Sequence, residues 1–338
     1  MAEIVLGIGT SHSPLLTFEA EMWLERAEED RRNEALTLSD GRTLTYDALL
    51  AERGPVRGEE SGKAHLSRQA DRTQAALTRL ADAIEAADPD IVLVVGDDQE
   101  ELFGPSNTPS IAIYCGAEIV MRPLGEHLLA PPDWMRQALT GYAMDTAHRF
   151  PGAADFALAL AERLMDDEVD LGICATVEDP DRSAFGHAFG FIAQRLLKGR
   201  RVPMLPLLLN TYYPPNVIRP GRCYDIGKKL AKAVAGLPGG ERVAVVASGG
   251  LSHFVTDPEL DLGVLDALRT GDAEWLRSVP MAALRAGSSE ILCWVLAGGA
   301  FAHLAHRWSD YVPVFRTPAG TGIGLGFGIW GGAKAGTG

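Results

Sequence analysis

Short, uninterrupted apolar runs constrain this chain most. Ile4–Ile8, Ile91–Val95, Met204–Leu209 and Val243–Ser248 are built mainly from Val, Ile, Leu and Ala, and each ends in polar residues. Runs of this length and composition suit strands buried on both faces. Ser110–Cys115 and Leu171–Thr176 read as further strands. Between them lie segments with apolar residues at three- and four-residue spacing, the mark of a helix with one buried face. These are Ala64–Ala87, Phe156–Asp166, Phe189–Leu197, Asp225–Val234 and Pro258–Arg269. Ser289–Leu304 is apolar throughout and reads as a buried helix. Strands alternating with helices predict an α/β fold, one layered domain over 1–338 with a mostly parallel or mixed central sheet flanked by helices.

Residues 17–63 break the pattern. They are charged, then turn-rich (SDGRT), then charged again. We expect an inserted helical cap or lid segment there: a helix, a turn and a short helix near Tyr46–Ala51.

The chain holds 45 acidic against 31 basic residues, for a formal net charge of −14. Nucleic acid is excluded as a partner, because its binders need a basic footprint to displace counterions. An anionic membrane surface selects the same sign. No apolar run reaches the roughly 20 residues that a membrane span needs. The opening MAEIVLGIGTSHSP lacks the basic start and cleavage-type ending of a secretory signal, so a cytoplasmic location is expected. Cys115, Cys174, Cys223 and Cys293 form no CxxC pair, which argues against a zinc ribbon or redox dithiol and for reduced thiols.

The chemistry-bearing residues sit at strand ends, where open α/β sheets place ligands. His12 follows the first strand. Asp97, Asp98, Gln99 and Glu101 follow the second. Asn210, Tyr212 and Tyr213 follow Leu209, and His253 follows the strand ending at Ser248. His187 is expected in a Gly-flanked loop, Phe185-Gly186-His187, within FGHAFGF. Glu290 stands in the apolar context SSEILCWVL, where a carboxylate is costly unless paired or metal-bound, or unless it occupies the first turn of a helix. GIGTSHSP resembles neither a GxSxG elbow nor a GxGxxG turn followed by a helix, and there is no GxxxxGK(S/T) phosphate loop and no HExxH pair. Imidazole and carboxylate from distant positions, with coordination sites left open, suit non-haem Fe(II).

Six segments, in order, resemble the class III extradiol ring-cleavage dioxygenases, in particular the β-subunit of protocatechuate 4,5-dioxygenase. They are GIGTSHSP, PDIVLVVGDDQEELF, FGHAFGF, LPLLLNTYYPPN with PGRCYDIGKKL, SGGLSHF and GSSEILCWVLAGGA. The resemblance implies Fe(II) as cofactor, with a catechol or related hydroxylated aromatic and O2 as substrates. It implies His12 and Glu290 as metal ligands and puts Gln99 where the family has its second ligand histidine. Asp98 or His65 are alternatives for that place, and loss of the metal is another. It further implies His253 as the acid–base that takes the proton of the substrate hydroxyl, and His187 as a second pocket histidine in contact with substrate. With Gln99 in the ligand position, a metal-independent lyase, hydrolase or isomerase acting on a phenol through His187 and His253 is the alternative; a silent binding protein is a third. A homo-oligomer is expected, as for most such enzymes.

Overall fold

The structure is a computed structural model, and it describes residues 1–56 and 62–333. Among the described residues nine strands form one mixed sheet. They are β1 (Glu3–Thr10), β2 (Ile91–Asp97), β3 (Ile111–Tyr114), β4 (Gly172–Cys174), β5 (Met204–Leu209), β6 (Arg242–Ser248), β7 (His253–Val255), β8 (Leu304–Phe315) and β9 (Thr321–Ala333). Their order is β7-β9-β1-β6-β2-β5-β3-β4, with β8 on β9. The centre, β1-β6-β2-β5, is all parallel. The α/β expectation is met in its mixed form, because β9 runs antiparallel to β1 and β3 runs antiparallel to β5.

The strand residues alternate between two cores. Leu93 and Val95 face one side of the sheet, under the helices Ala154–Asp166, Pro220–Gly236 and Ile291–Ala300. Val92 and Val94 face the other, under the long helix Lys63–Ala87 and the segment from His187 to Leu196. Each of these side chains is fully buried, and full burial stabilises by roughly 1.5–3 kcal/mol per side chain. Among the described residues no helix is long and apolar enough to cross a membrane. All four cysteines are free.

Three expectations change. The helix read as Ser289–Leu304 begins as a 3-10 turn, Ala286–Glu290, becomes α-helical at Ile291–Ala300, and gives way at Leu304 to β8. The hairpin of β8 and β9 has no counterpart in the sequence reading. Its second strand is TGIGLGFGIW, and glycine is normally depleted in strands. Here the glycines are needed for packing: a Cβ at Gly326 would run into Leu251, and one at Gly328 into the ring of Trp330. The segment near His187 opens a helix at His187–Phe191 rather than a loop and continues as a π-helical turn over Ile192–Leu196.

The segment 17–63 contains the helix Ala20–Arg31, a two-stranded ribbon of Leu36–Thr37 with Thr43–Leu44, and the helix Tyr46–Arg53; its residues 57–61 lie outside the described residues. It has a small core of its own. Leu36, Leu38 and Leu49 pack on Val255 and Ala319. A buried fork-to-fork ion pair ties its first helix to the β8–β9 turn: Arg316 Nε and Nη2 donate to the Asp30 carboxylate at 2.8 and 2.9 Å. Parallel register brings Thr10, Ser248, Asp97 and Leu209 to one edge of the sheet, so the residues after them face a common space.

Candidate metal centre

His12 and Glu290, from opposite ends of the chain, meet at that edge. Both are buried, with His12 Nε2 3.0 Å from Glu290 Oε2. Asp97, the last residue of β2, is fully buried and puts Oδ1 3.6 Å from the same nitrogen. A second imidazole, His187, packs edge-on to His12 with ring centroids 4.6 Å apart. Ligand atoms of His12, Asp97 and His187 all lie within 4.8 Å of one another.

Hydrogen bonding fixes how His12 presents itself. Ser248 Oγ donates its one hydrogen to the Ala188 carbonyl at 2.7 Å. Towards His12 Nδ1, 3.0 Å away, it therefore acts as acceptor, and Nδ1 carries the hydrogen. In the neutral ring Nε2 then offers a lone pair to two carboxylates. His12 Nε2 and Asp97 Oδ1 are buried without a hydrogen-bond partner among the described residues. A lone pair facing carboxylate oxygens in a buried site is repulsive unless a cation or proton lies between them. One imidazole with two carboxylates is a donor set that divalent iron accepts, so these residues fit a metal.

Glu290 is held on both oxygens. Gly250 N–H donates to Oε2 at 2.5 Å and the Tyr212 hydroxyl to Oε1 at 2.8 Å. Burial alone would raise its pKa, but His12, His253 and the Gly250 N–H lower it well below the carboxylate range. Asp97 moves the other way, raised by burial and by the charge of Glu290.

Gln99 is drawn into the cluster, but by its amide nitrogen. Nε2 is 3.0 Å from Asp97 Oδ2, 3.4 Å from His187 Nε2 and 3.5 Å from Glu290 Oε1. Facing the carboxylates of Asp97 and Glu290, the amide turns its donors inward, the end that cannot ligate; the orientation is assigned from these two contacts. The other two candidates for the place are elsewhere. Asp98 spends its carboxylate on the backbone N–H groups of Leu102 and Phe103, at 2.8 and 3.1 Å. His65 stays on the helix Lys63–Ala87 against Gln69, at 3.2 Å. The second carboxylate that faces His12 Nε2, beside Glu290, is that of Asp97, which the sequence pattern does not separate from Asp98. The available signal was register: Asp97 pairs with Leu209 as the last residue of its strand.

His187 has its own carboxylate. Nδ1 lies 2.5 Å from Glu101 Oε1, and the His187 backbone N–H donates to the same oxygen at 3.2 Å. Burial works against a charged imidazole, but Glu101 outweighs it and the His187 pKa rises to about 10. His253 is the opposite case. Its Nδ1–H donates to the Leu251 carbonyl at 2.9 Å, which leaves Nε2 as an acceptor, and burial lowers its pKa. Its ring is gripped between glycines; a Cβ at Gly250 or Gly287 would overlap it. Ser288 Oγ accepts from the His253 N–H and donates to the His253 carbonyl, both at 2.9 Å. Asn210, a pocket candidate in the sequence, staples its own loop to the carbonyls of Tyr213 and Asn216.

Residues 54–325 match the family described as the catalytic LigB subunit of aromatic ring-opening dioxygenase. The chain belongs to the LigB family. It is similar to a 2,3-dihydroxyphenylpropionate/2,3-dihydroxicinnamic acid 1,2-dioxygenase of Cupriavidus necator, 27% identical over 209 residues, covering 61% of this chain and 56% of that protein. It is also similar to a gallate dioxygenase of Pseudomonas putida, 28% identical over 178 residues, covering 48% of this chain and 50% of that protein. The matches thus span about half the length of these curated relatives. LigB dioxygenases are generally metal-dependent, and the His12, Asp97 and His187 group is of a kind that could hold an ion.

Proposed function

We propose that this chain is an Fe(II)-dependent extradiol-type dioxygenase that opens a catechol or related hydroxylated aromatic ring with O2. The observation that carries the reading is the buried His12 Nε2, without a hydrogen-bond partner and turned to the carboxylates of Glu290 and Asp97. His12, Glu290 and Asp97 are the ligands in this account. Gln99, the third candidate from sequence, donates to Asp97 and fixes its orientation. Fe(II) held there supplies the one-electron chemistry that a spin-paired aromatic ring lacks for reaction with O2.

The remaining roles belong to the chain. His253 Nε2 takes the proton of a substrate hydroxyl, as a neutral imidazole can near pH 7. His187, kept cationic by Glu101, donates from Nε2 and orients the ring or the oxygen. Tyr212 holds Glu290 in place through its hydroxyl. The insertion, tied down by Asp30, serves as a cap that limits water at the site. The enzyme works in the cytoplasm as a homo-oligomer, with a small aromatic substrate and O2 and with neither nucleic acid nor membrane as partner.

The test is anaerobic reconstitution with Fe(II), then oxygen uptake and a yellow ring-opened product across a catechol panel. Ring opening that depends on both Fe(II) and O2 is expected; a reconstituted protein that binds no metal overturns the reading. One observation favours a second reading. At 3.0 Å a protonated His12 and Glu290 also make a closed ion pair. A metal-independent lyase, hydrolase or isomerase using His187 and His253 on a phenol would then keep its turnover in chelator and without oxygen.

A further inference from the structure

Asp261 is a buried carboxylate away from the metal centre. It lies in the first turn of the helix Pro258–Thr270 and is fully buried. It accepts from the Ser252 N–H at 2.8 Å, from Ser252 Oγ at 2.6 Å and from the Tyr311 hydroxyl of β8 at 2.8 Å. Burial pushes its pKa up to about 7, and its one charged neighbour of note, Asp257, acts in the same direction. A carboxyl group buried without a cation is costly, so its place calls for a reason.

What Asp261 holds is one peptide unit. The N–H of Ser252 points to Asp261, and the C=O of the same unit, that of Leu251, accepts from His253 Nδ1 at 2.9 Å. A peptide is planar, with its N–H and C=O on opposite sides, so fixing one end aims the other. Accepting the N–H also polarises the unit and strengthens its carbonyl as an acceptor. Ser252 itself has little freedom left. Its Oγ accepts from the Asp257 N–H at 2.9 Å, and its carbonyl accepts from the Gly324 N–H of β9 at 3.0 Å. A Cβ at Gly324 would overlap the Asp261 carboxyl, so the strand is cut away to admit it.

The loop Ser248–His253 is thus held in two halves. Its front is tied by the Gly249 N–H to the Thr10 carbonyl at 3.1 Å and by Trp294 Nε1 to the Gly249 carbonyl at 2.7 Å. That half carries the Gly250 N–H that holds Glu290. Asp261 grips the back half, which carries His253.

We infer that Asp261 is a positioning residue for His253, acting through the Leu251–Ser252 peptide: it aims the Leu251 carbonyl so that the imidazole keeps its hydrogen on Nδ1 and presents a bare Nε2 to the substrate hydroxyl. This rests on the ring-cleavage reading, which gives His253 that proton, and adds to it a residue that acts at one remove from substrate. The front half of the loop has its own ties, so the metal ligands do not depend on Asp261.

The experiment compares the wild-type full chain with Asp261→Leu and Asp261→Ser, which withdraw the acceptor, and with Asp261→Asn, which keeps one for the Ser252 N–H. Two loss variants, one apolar and one polar, guard against a single failure to fold, checked by circular dichroism. With Fe(II) loaded anaerobically and catechol as substrate, the loss variants should lower kcat by roughly 10–100-fold, the scale of a misplaced catalytic group. KM and iron content should hold, and Asp261→Asn should recover most of kcat. Nitrogen-15 NMR of histidine-labelled chain loaded with diamagnetic Zn(II) supplies a readout apart from turnover. His253, assigned with His253→Asn, should show the Nδ1–H tautomer in the wild type and a mixture of tautomers in the loss variants. A loss variant that folds and keeps the wild-type tautomer, or loses iron in step with kcat, overturns the inference. Ring opening indifferent to Asp261 would remove the positioning role and leave ring cleavage standing. A tautomer that shifts in a protein opening no ring would do the reverse.

Discussion

Glu101 holds His187 at two points, accepting from its backbone N–H at 3.2 Å and meeting its Nδ1 at 2.5 Å with the same oxygen. Turning the ring breaks the Nδ1 contact, while the backbone contact keeps the carboxylate in place to receive it. A Cβ at Gly186 would overlap the Glu101 carboxyl, so the close approach depends on that glycine. Glu101→Gln should leave the fold intact and lower kcat by roughly 10²–10⁴-fold, the usual worth of a positioned acid or base. Steady-state kinetics with a circular dichroism control checks this. Unchanged kcat would remove His187 from the chemistry.

Ser248 sets the tautomer of His12 from behind, and such outer partners typically tune metal affinity by 10–100-fold. Ser248→Ala should therefore weaken Co(II) or Fe(II) binding by about that factor. Ser248→Thr, which keeps the hydroxyl, should restore part of it. Anaerobic metal titration followed by absorbance reads the change, and equal affinity in Ser248→Ala would count against Nε2 as a ligand atom.

Asp261 gives a prediction for stability against pH. It is buried and accepts from Ser252 N–H, Ser252 Oγ and the Tyr311 hydroxyl. Burial lifts its pKa from 3.8 to about 7. The folded state thus holds a proton that the unfolded state gives up near pH 4. The associated stability is fully present below that value and is lost as pH rises through about 7. Urea unfolding should show stability falling between pH 5 and 7, with up to about 1.4 kcal/mol per unit from this group. Asp261→Asn should flatten that part of the slope; an unchanged slope refutes the assignment.

The ion pair of Asp30 and Arg316 anchors the helix Ala20–Arg31 to the β8–β9 turn. Removing one partner strands a buried charge, at a cost of about 3–5 kcal/mol. Asp30→Ala should lower stability by that order and open residues 17–56 to limited proteolysis before the rest of the chain. Cleavage at wild-type rate would show that the insertion is held by other means.

Much of this was legible because buried strands announce themselves. IVLVV is too short and too apolar for anything but a core strand, so the polar residues after it had to lie at a sheet edge. That reasoning places His12, Gln99 and His253 together, and the cost of burying Glu290 adds the fourth. Local pattern says less about which of two adjacent acids turns inward. Asp97 and Asp98 differ by one residue, and in a strand one residue reverses the face. The β8–β9 hairpin was hidden for another reason. Its glycines lower strand propensity, and of the side chains that require them Trp330 stands two residues further along the same strand while Leu251 lies in a distant loop. The Asp30–Arg316 pair was silent as well, since nothing in the sequence joins a charged segment to a distant turn.

The most direct test of the account is metal content. Wild-type protein reconstituted anaerobically with Fe(II) and desalted should carry about one iron per chain by elemental analysis. His12→Ala and Asp97→Asn should each lose most of it, while Asp98→Asn retains it. Iron retained in His12→Ala, or no iron in the wild type, would contradict the centre described here.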